Sequence, residues 1–161
     1  MDLITKLFDI DFAALVPKLP VFLGLMRTLM AFALLAGPVT MVILAALYLF
    51  KPAPEANYHF GYRTYYGMGS VEAWQFSQKI AGLAFGGLGA GLTVVMLIVI
   101  LFFIGKTLMQ VAIMATVCLL VQVVLILAAR IVVASLCKKY FDKDGYRRNP
   151  APLYQSQRKT R

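Results

Sequence analysis

The chain has 161 residues, of which 61% are hydrophobic and only 14% charged, and its mean hydropathy is +0.78. That composition leaves too much apolar surface for a soluble domain of this size and points to an integral membrane protein. The formal net charge of +9 gathers towards the C-terminus, the mark of a membrane protein's cytoplasmic end, so nucleic acid is excluded as a partner and the bilayer is expected as one.

Residues 1–28 place Leu3, Ile4, Leu7, Phe8, Phe12, Leu15 and Val16 among scattered charges. The spacing predicts an amphipathic segment lying in the membrane interface, interrupted by Pro17 and Pro20. A lead-in packed on the first span is the alternative. Asp2, Asp9 and Asp11 stand where a cleavable signal peptide would carry basic residues. The first span is expected over residues 29–50, uncharged and long enough to cross a hydrocarbon core of about 30 Å. An earlier start at Val21 is open, with Arg27 reaching back to the interface. Gly37-Pro38 predicts a kink, because proline removes one backbone donor. Lys51, Pro52 and Pro54 stop the helix.

Residues 51–79 make a loop rich in aromatics and glycines that holds the chain's single histidine and single tryptophan. Ser70 as an N-cap and Glu72 in the first turn predict a short interfacial helix from Val71 that turns into the second span. Trp74 is expected at the headgroup level. Gly61, Gly67 and Gly69 permit a tight, irregular path before it. Arg63, among Tyr62, Tyr65 and Tyr66, has the chemistry to stack on aromatics, hold a lipid phosphate, or pair with Glu55 or Glu72. Ties within the protein and an external ligand are both open readings.

The second span is expected over residues 80–105. Gly82 with Gly86, and Gly87 with Gly91, make two GxxxG pairs, which predict close packing on another helix of this chain or of a second copy. The third span follows over residues 107–137, with Arg130 reaching the headgroups or, as the alternative reading, serving as an intramembrane functional residue. Cys118 and Cys137 fall on this one helix about 28 Å apart, so both read as free thiols. Cys137, beside Lys138 and Lys139, reads as an unmodified helix-end thiol, with lipidation as the alternative. Residues 138–161 form a basic tail, expected to be mobile beyond Asn149 and attracted to anionic lipid.

The fold class is therefore an all-α integral membrane protein: a three-transmembrane-helix bundle with an N-terminal amphipathic segment and a structured loop plus short interfacial helix between spans 1 and 2. Three spans put the chain ends on opposite faces. Lys51, Arg63, Lys79 and the tail outweigh Lys6, Lys18, Arg27 and Lys106, so the tail and residues 51–79 are expected in the cytoplasm and the N-terminus outside. A fourth crossing within residues 1–28 would bring both ends inside. Catalysis finds no constellation. His59 has no cysteine or acid at a useful spacing, no carboxylate lies within a span, and metal-ligand spacings, phosphate loops and nucleophile elbows are absent. No cofactor and no metal are expected.

Asn57-x-x-x-Gly61-Tyr62-Arg63-Thr64, then Trp74, then Ala81-Gly82 opening a span, resembles the SdpI family of bacterial membrane proteins. The family's loop reads approximately N-x-x-x-G-[YF]-R-T, then W-x-x-A-N, then a small residue and glycine. Here Tyr65 stands where a proline commonly follows the threonine, and Ser77-Gln78 replaces Ala-Asn. The resemblance covers roughly residues 30–135, one span before the loop and two after it, and corresponds to the C-terminal unit of a longer namesake. It implies a non-enzymatic protein of the bacterial cell membrane giving immunity or tolerance to a membrane-active peptide toxin, with a signalling role open. Asn57, Gly61, Tyr62, Arg63, Thr64, Trp74 and Gln78 are then the candidate residues for binding a peptide or a regulatory membrane protein. The alternative is a small assembly subunit of a larger membrane complex, or a homo-oligomer, joined through the glycines of the second span. A transporter or channel is disfavoured by the lack of intramembrane carboxylates.

Overall fold

In hydrocarbon every backbone N–H and C=O must be paired within its own segment, and for a single long apolar run only a helix does this. The computed structural model describes residues 19–57 and 59–148. It contains three helices long and apolar enough to cross a membrane. They are α1 (Leu19–Phe50, 32 residues), α2 (Val71–Leu101, 31 residues) and α3 (Leu108–Tyr140, 33 residues). Each is roughly 45–50 Å long at the helical rise, longer than the hydrocarbon core. No strand occurs among the described residues, only one isolated bridge between Phe141 and Arg147. The protein is a multi-pass membrane protein.

Helix α1 begins at Leu19 and not at Leu29. Pro20 suits a first turn, where its missing N–H has no partner to lose. Residues 19–28 are thus the first turns of α1, and the amphipathic segment expected before them falls on residues 1–18, outside the described ones. The separate interfacial helix does not exist. Val71 to Leu101 is a single helix, because nothing between Lys79 and Gly82 breaks it and Gly82 is buried. Ser70 caps it, accepting from the Ala73 N–H at 3.1 Å. A turn over residues 102–106 leads into α3, whose N-terminus closes in a Thr107–Gln110 capping box.

Helices α1 and α2 pack as a close pair, and α3 lies against both more loosely. Gly82, Gly86 and Gly89 make the close approach. A Cβ on Gly82 would lie 2.6 Å from Leu49 Cγ, on Gly86 3.2 Å from Ala45 Cβ, and on Gly89 2.9 Å from Met41 Cβ. Gly87 and Gly91 meet nothing within 4 Å and face outwards, so the second GxxxG pair takes no part in the bundle. The packed stripe runs 82–86–89, the spacing of one helix face. One buried cluster gathers Leu34, Leu92, Met96 and Val111 at the end of the bundle holding the α2–α3 turn. A second gathers Met41, Ala45, Ala81, Phe85, Val133 and Cys137 beneath the loop. Large apolar side chains such as Phe32, Val94 and Leu120 stand exposed around the bundle, as contact with lipid requires.

Pro38 deprives the Leu34 carbonyl of the N–H it would receive in an unbroken helix. Gln122 of α3 replaces that donor, its Nε2 reaching Leu34 O at 3.0 Å from a side chain only 3% exposed. At the far end, Arg27 donates from Nη2 to the Lys106 carbonyl at 2.6 Å, tying α1 to the α2–α3 turn.

The residues after α3 do not leave the bundle at once. Residues 141–148 fold into a tight turn around Asp142, whose Oδ1 accepts the N–H groups of Asp144 and Tyr146. Gly145, with φ +78°, lies backbone to backbone against Gly69 and Ser70, a contact with no room for a Cβ. The Ser70 hydroxyl donates to Gly145 O at 2.7 Å while capping α2. Phe141 is buried against Phe76, and Arg147 meets Glu72 at 3.6 Å. Glu72 thus faces Arg147. That exposed pair adds little by itself, and the buried phenylalanine and the backbone contact hold the turn in place.

Candidate functional site

The loop between α1 and α2 is pinned at several points by side chains reaching its backbone. Asn57 starts it: its Oδ1 accepts the N–H groups of His59 and Phe60 at 3.0 and 2.8 Å, an Asx turn. Gly61 follows with φ +124°, and a Cβ there would collide with the Trp74 ring. Only glycine suits both demands. Trp74 is wholly buried inside the protein, and its indole N–H donates to Ala53 O at 2.8 Å. Its ring therefore meets protein and not lipid headgroups, and it works as the floor on which the loop rests.

Gln78 grips both backbone groups of Tyr62. Its Oε1 accepts the Tyr62 N–H at 2.8 Å and its Nε2 donates to Tyr62 O at 2.9 Å. The side chain is 1% exposed, so this pairing is shielded from water. Ser77 beside it donates to Trp74 O at 2.8 Å. The Tyr62 ring lies edge-on to Phe85 of α2 and Tyr48 of α1 at 5.3 and 6.4 Å, and its hydroxyl donates to Arg130 O of α3 at 3.3 Å. One residue thus joins all three helices. Burial pushes the Tyr62 phenol above its ordinary pKa, partly offset by the Arg130 guanidinium. Thr64 is buried, and its hydroxyl and carbonyl both accept the Gly67 N–H.

These contacts separate the sequence candidates into two sets. Asn57, Gly61, Tyr62, Thr64, Trp74 and Gln78 make the contacts that build the loop. Arg63 is exposed, together with Tyr65 at 72%. The glycine candidates lie elsewhere, Gly82 and Gly86 against α1 and Gly87 and Gly91 outwards.

Between the outer face of the loop and α3 lies an open groove of about 570 Å³. The loop supplies Tyr62 to Tyr66, including Arg63. Helix α3 supplies Leu127, Arg130, Ile131, Ala134, Ser135 and Lys138, positions that recur along one face at helical spacing. Among the described residues no carboxylate lines this groove. The contribution of α3, notably Lys138 and Ser135, was missed by sequence reasoning. The recurrence of 127, 131, 134 and 138 was its only signal, and nothing in a sequence says which face of α3 meets the loop. Gln122 and the turn at residues 141–148 were missed as well. Among the described residues no group of three His, Cys, Asp or Glu side chains is placed to hold a metal.

Comparison with known proteins agrees with the loop's pattern. The sequence model of the SdpI/YfhL protein family matches residues 55–135, which span most of the connection between α1 and α2, all of α2 and most of α3. No curated protein and no solved structure matches the chain. The matched region covers half of the chain and contains the Gly61-Tyr62-Arg63-Thr64 run, Trp74 and the Gln78 clamp. This chain belongs to the SdpI/YfhL family.

Proposed function

We propose that this chain is a non-catalytic bacterial membrane protein that confers tolerance to a membrane-active peptide, using the outer face of the motif loop as its contact surface. The observation that carries the reading is the way the loop is held. Hydrogen bonds from Asn57, Trp74 and Gln78 fix its path, so Arg63 and Tyr65 are presented outwards on a rigid base. A preformed surface of this kind loses little conformational entropy on binding. The loop end and the basic C-terminal residues lie on the cytoplasmic side of the cell membrane in this proposal, by the bias of basic residues. Labelling of a His59→Cys variant from outside intact cells would overturn that orientation.

The test is survival. A bacterium sensitive to a secreted membrane-active peptide is given the chain, its Arg63→Ala variant or its Tyr65→Ala variant, all at equal membrane abundance. Protection by the parent and its loss in both variants is the expected result. No protection from a well-inserted parent overturns the proposal. Trp74→Ala is a poor probe, because the ring is buried and its loss damages the loop itself.

A second reading, an assembly subunit or homo-oligomer, is favoured by Gly87 and Gly91. These glycines face outwards with nothing against them, on a helix whose other glycines pack closely on α1. Purification in mild detergent separates the two readings. A stoichiometric partner supports the assembly subunit, two copies of the chain support a homo-oligomer, and a lone monomer removes both.

A further inference from the structure

The groove between the loop and α3 is chemically graded along its length. Lys138 and Ser135 stand at the loop end, Arg130 lies about two turns deeper, and Leu127 and Ile131 form the apolar wall on the bilayer side. Arg130 is roughly 15 Å in from the end of α3 at Tyr140, near the edge of the hydrocarbon in a helix this much longer than the core. Arg63 adds a third cationic residue from the loop, and no carboxylate lines the groove among the described residues. A cationic mouth above an apolar wall, open at the depth of the headgroups, matches one amphiphile of the bilayer. We propose that this groove binds an anionic phospholipid, its phosphate between Arg130 and Lys138 and an acyl chain along Leu127 and Ile131.

The commitment to a phospholipid rests on both halves of the groove. A free phosphate would use the cations and leave the apolar wall idle. A zwitterionic lipid would bring its own ammonium group among three cationic side chains. Arginine suits the phosphate through its planar fork of donors, and lysine as a point charge at the rim. The groove shares Arg63 and Tyr65 with the proposed peptide-contact surface, but its lipid is held by Arg130 and Lys138 of α3 and needs no peptide.

The test uses the full chain in detergent micelles, with phosphatidylglycerol or phosphatidylcholine added in equal amounts and bound lipid counted by native mass spectrometry. One phosphatidylglycerol per chain should be retained at least tenfold better than phosphatidylcholine. Arg130→Gln with Lys138→Gln should weaken that retention about 25-fold, roughly fivefold for each charge removed. Lys79→Gln, one charge removed outside the groove, should change nothing, where Lys138→Gln alone should cost about fivefold, and Arg130→Lys should keep most of the preference. Equal retention of the two lipids by the parent overturns the proposal, and this arm requires no variant to fold. Undiminished phosphatidylglycerol binding by a folded double variant also overturns it. So does displacement of the lipid by inorganic phosphate or by an acidic peptide at equal concentration, the first marking a free-anion site and the second a peptide site.

Discussion

Removing the Gln78 amide leaves the N–H and the C=O of Tyr62 without their partners in a place shielded from water. Losing such partners costs about 1–3 kcal/mol. Gln78→Leu should therefore lower stability by about 2 kcal/mol in a micelle unfolding titration and leave the three spans inserted. Gln78→Asn, one methylene shorter, should recover only part of the loss. Tyr62 itself gives a pH signature. Its folded pKa is raised, chiefly by burial, so the neutral phenol is the form that the fold prefers. Its contribution is present in full below the ordinary tyrosine pKa of about 10 and fades as pH climbs through the raised value. Tyr62→Phe should abolish that part of the alkaline loss, read as loop protection in hydrogen exchange between neutral pH and pH 11.

At the scale of the helices, the two glycine registers of α2 make opposite predictions. Gly89→Leu drives a side chain into Met41 and the Pro38 carbonyl of α1, and should cost about 2 kcal/mol or more and splay the pair. Gly91→Leu faces open space and should leave the monomer's unfolding unchanged, which an unfolding titration of both variants checks. How much of this was legible in sequence depends on the kind of signal. Long uncharged runs announced the helices, because hydrophobic length is a property of one segment. The GxxxG pairs announced close packing but not its partner, because 82–86 and 87–91 fit the pattern equally and only the face that α2 turns towards α1 selects between them. The loop's motif residues were legible as a set, yet their roles were not. Trp74 has the amphipathic ring of an interfacial residue, and Gly61 covers it, so tertiary packing overrides the preference. The Asp142–Gly145 turn carries its own local code, but its docking on Gly69 is a backbone contact that leaves no hydrophobic trace.

Taken whole, the bundle is a close pair, α1 and α2, with α3 set against it by scattered contacts. The bond from Gln122 to Leu34 O is one of these, and it joins residues 88 positions apart in the chain. A ribosome adding about 5–20 residues per second needs roughly 4–18 s to cover that distance. For that interval the Leu34 carbonyl of α1 lacks the donor that Gln122 later supplies. Chains truncated before Gln122 should be cleared by membrane proteases faster than chains truncated after α3, and Pro38→Ala should narrow the gap, as pulse-chase lifetimes would reveal. A single hydrogen bond across 88 positions thus makes the integrity of the first span depend on the arrival of the third, so that an interrupted chain differs from one carrying α3 by its exposed carbonyl and not by any added sequence tag.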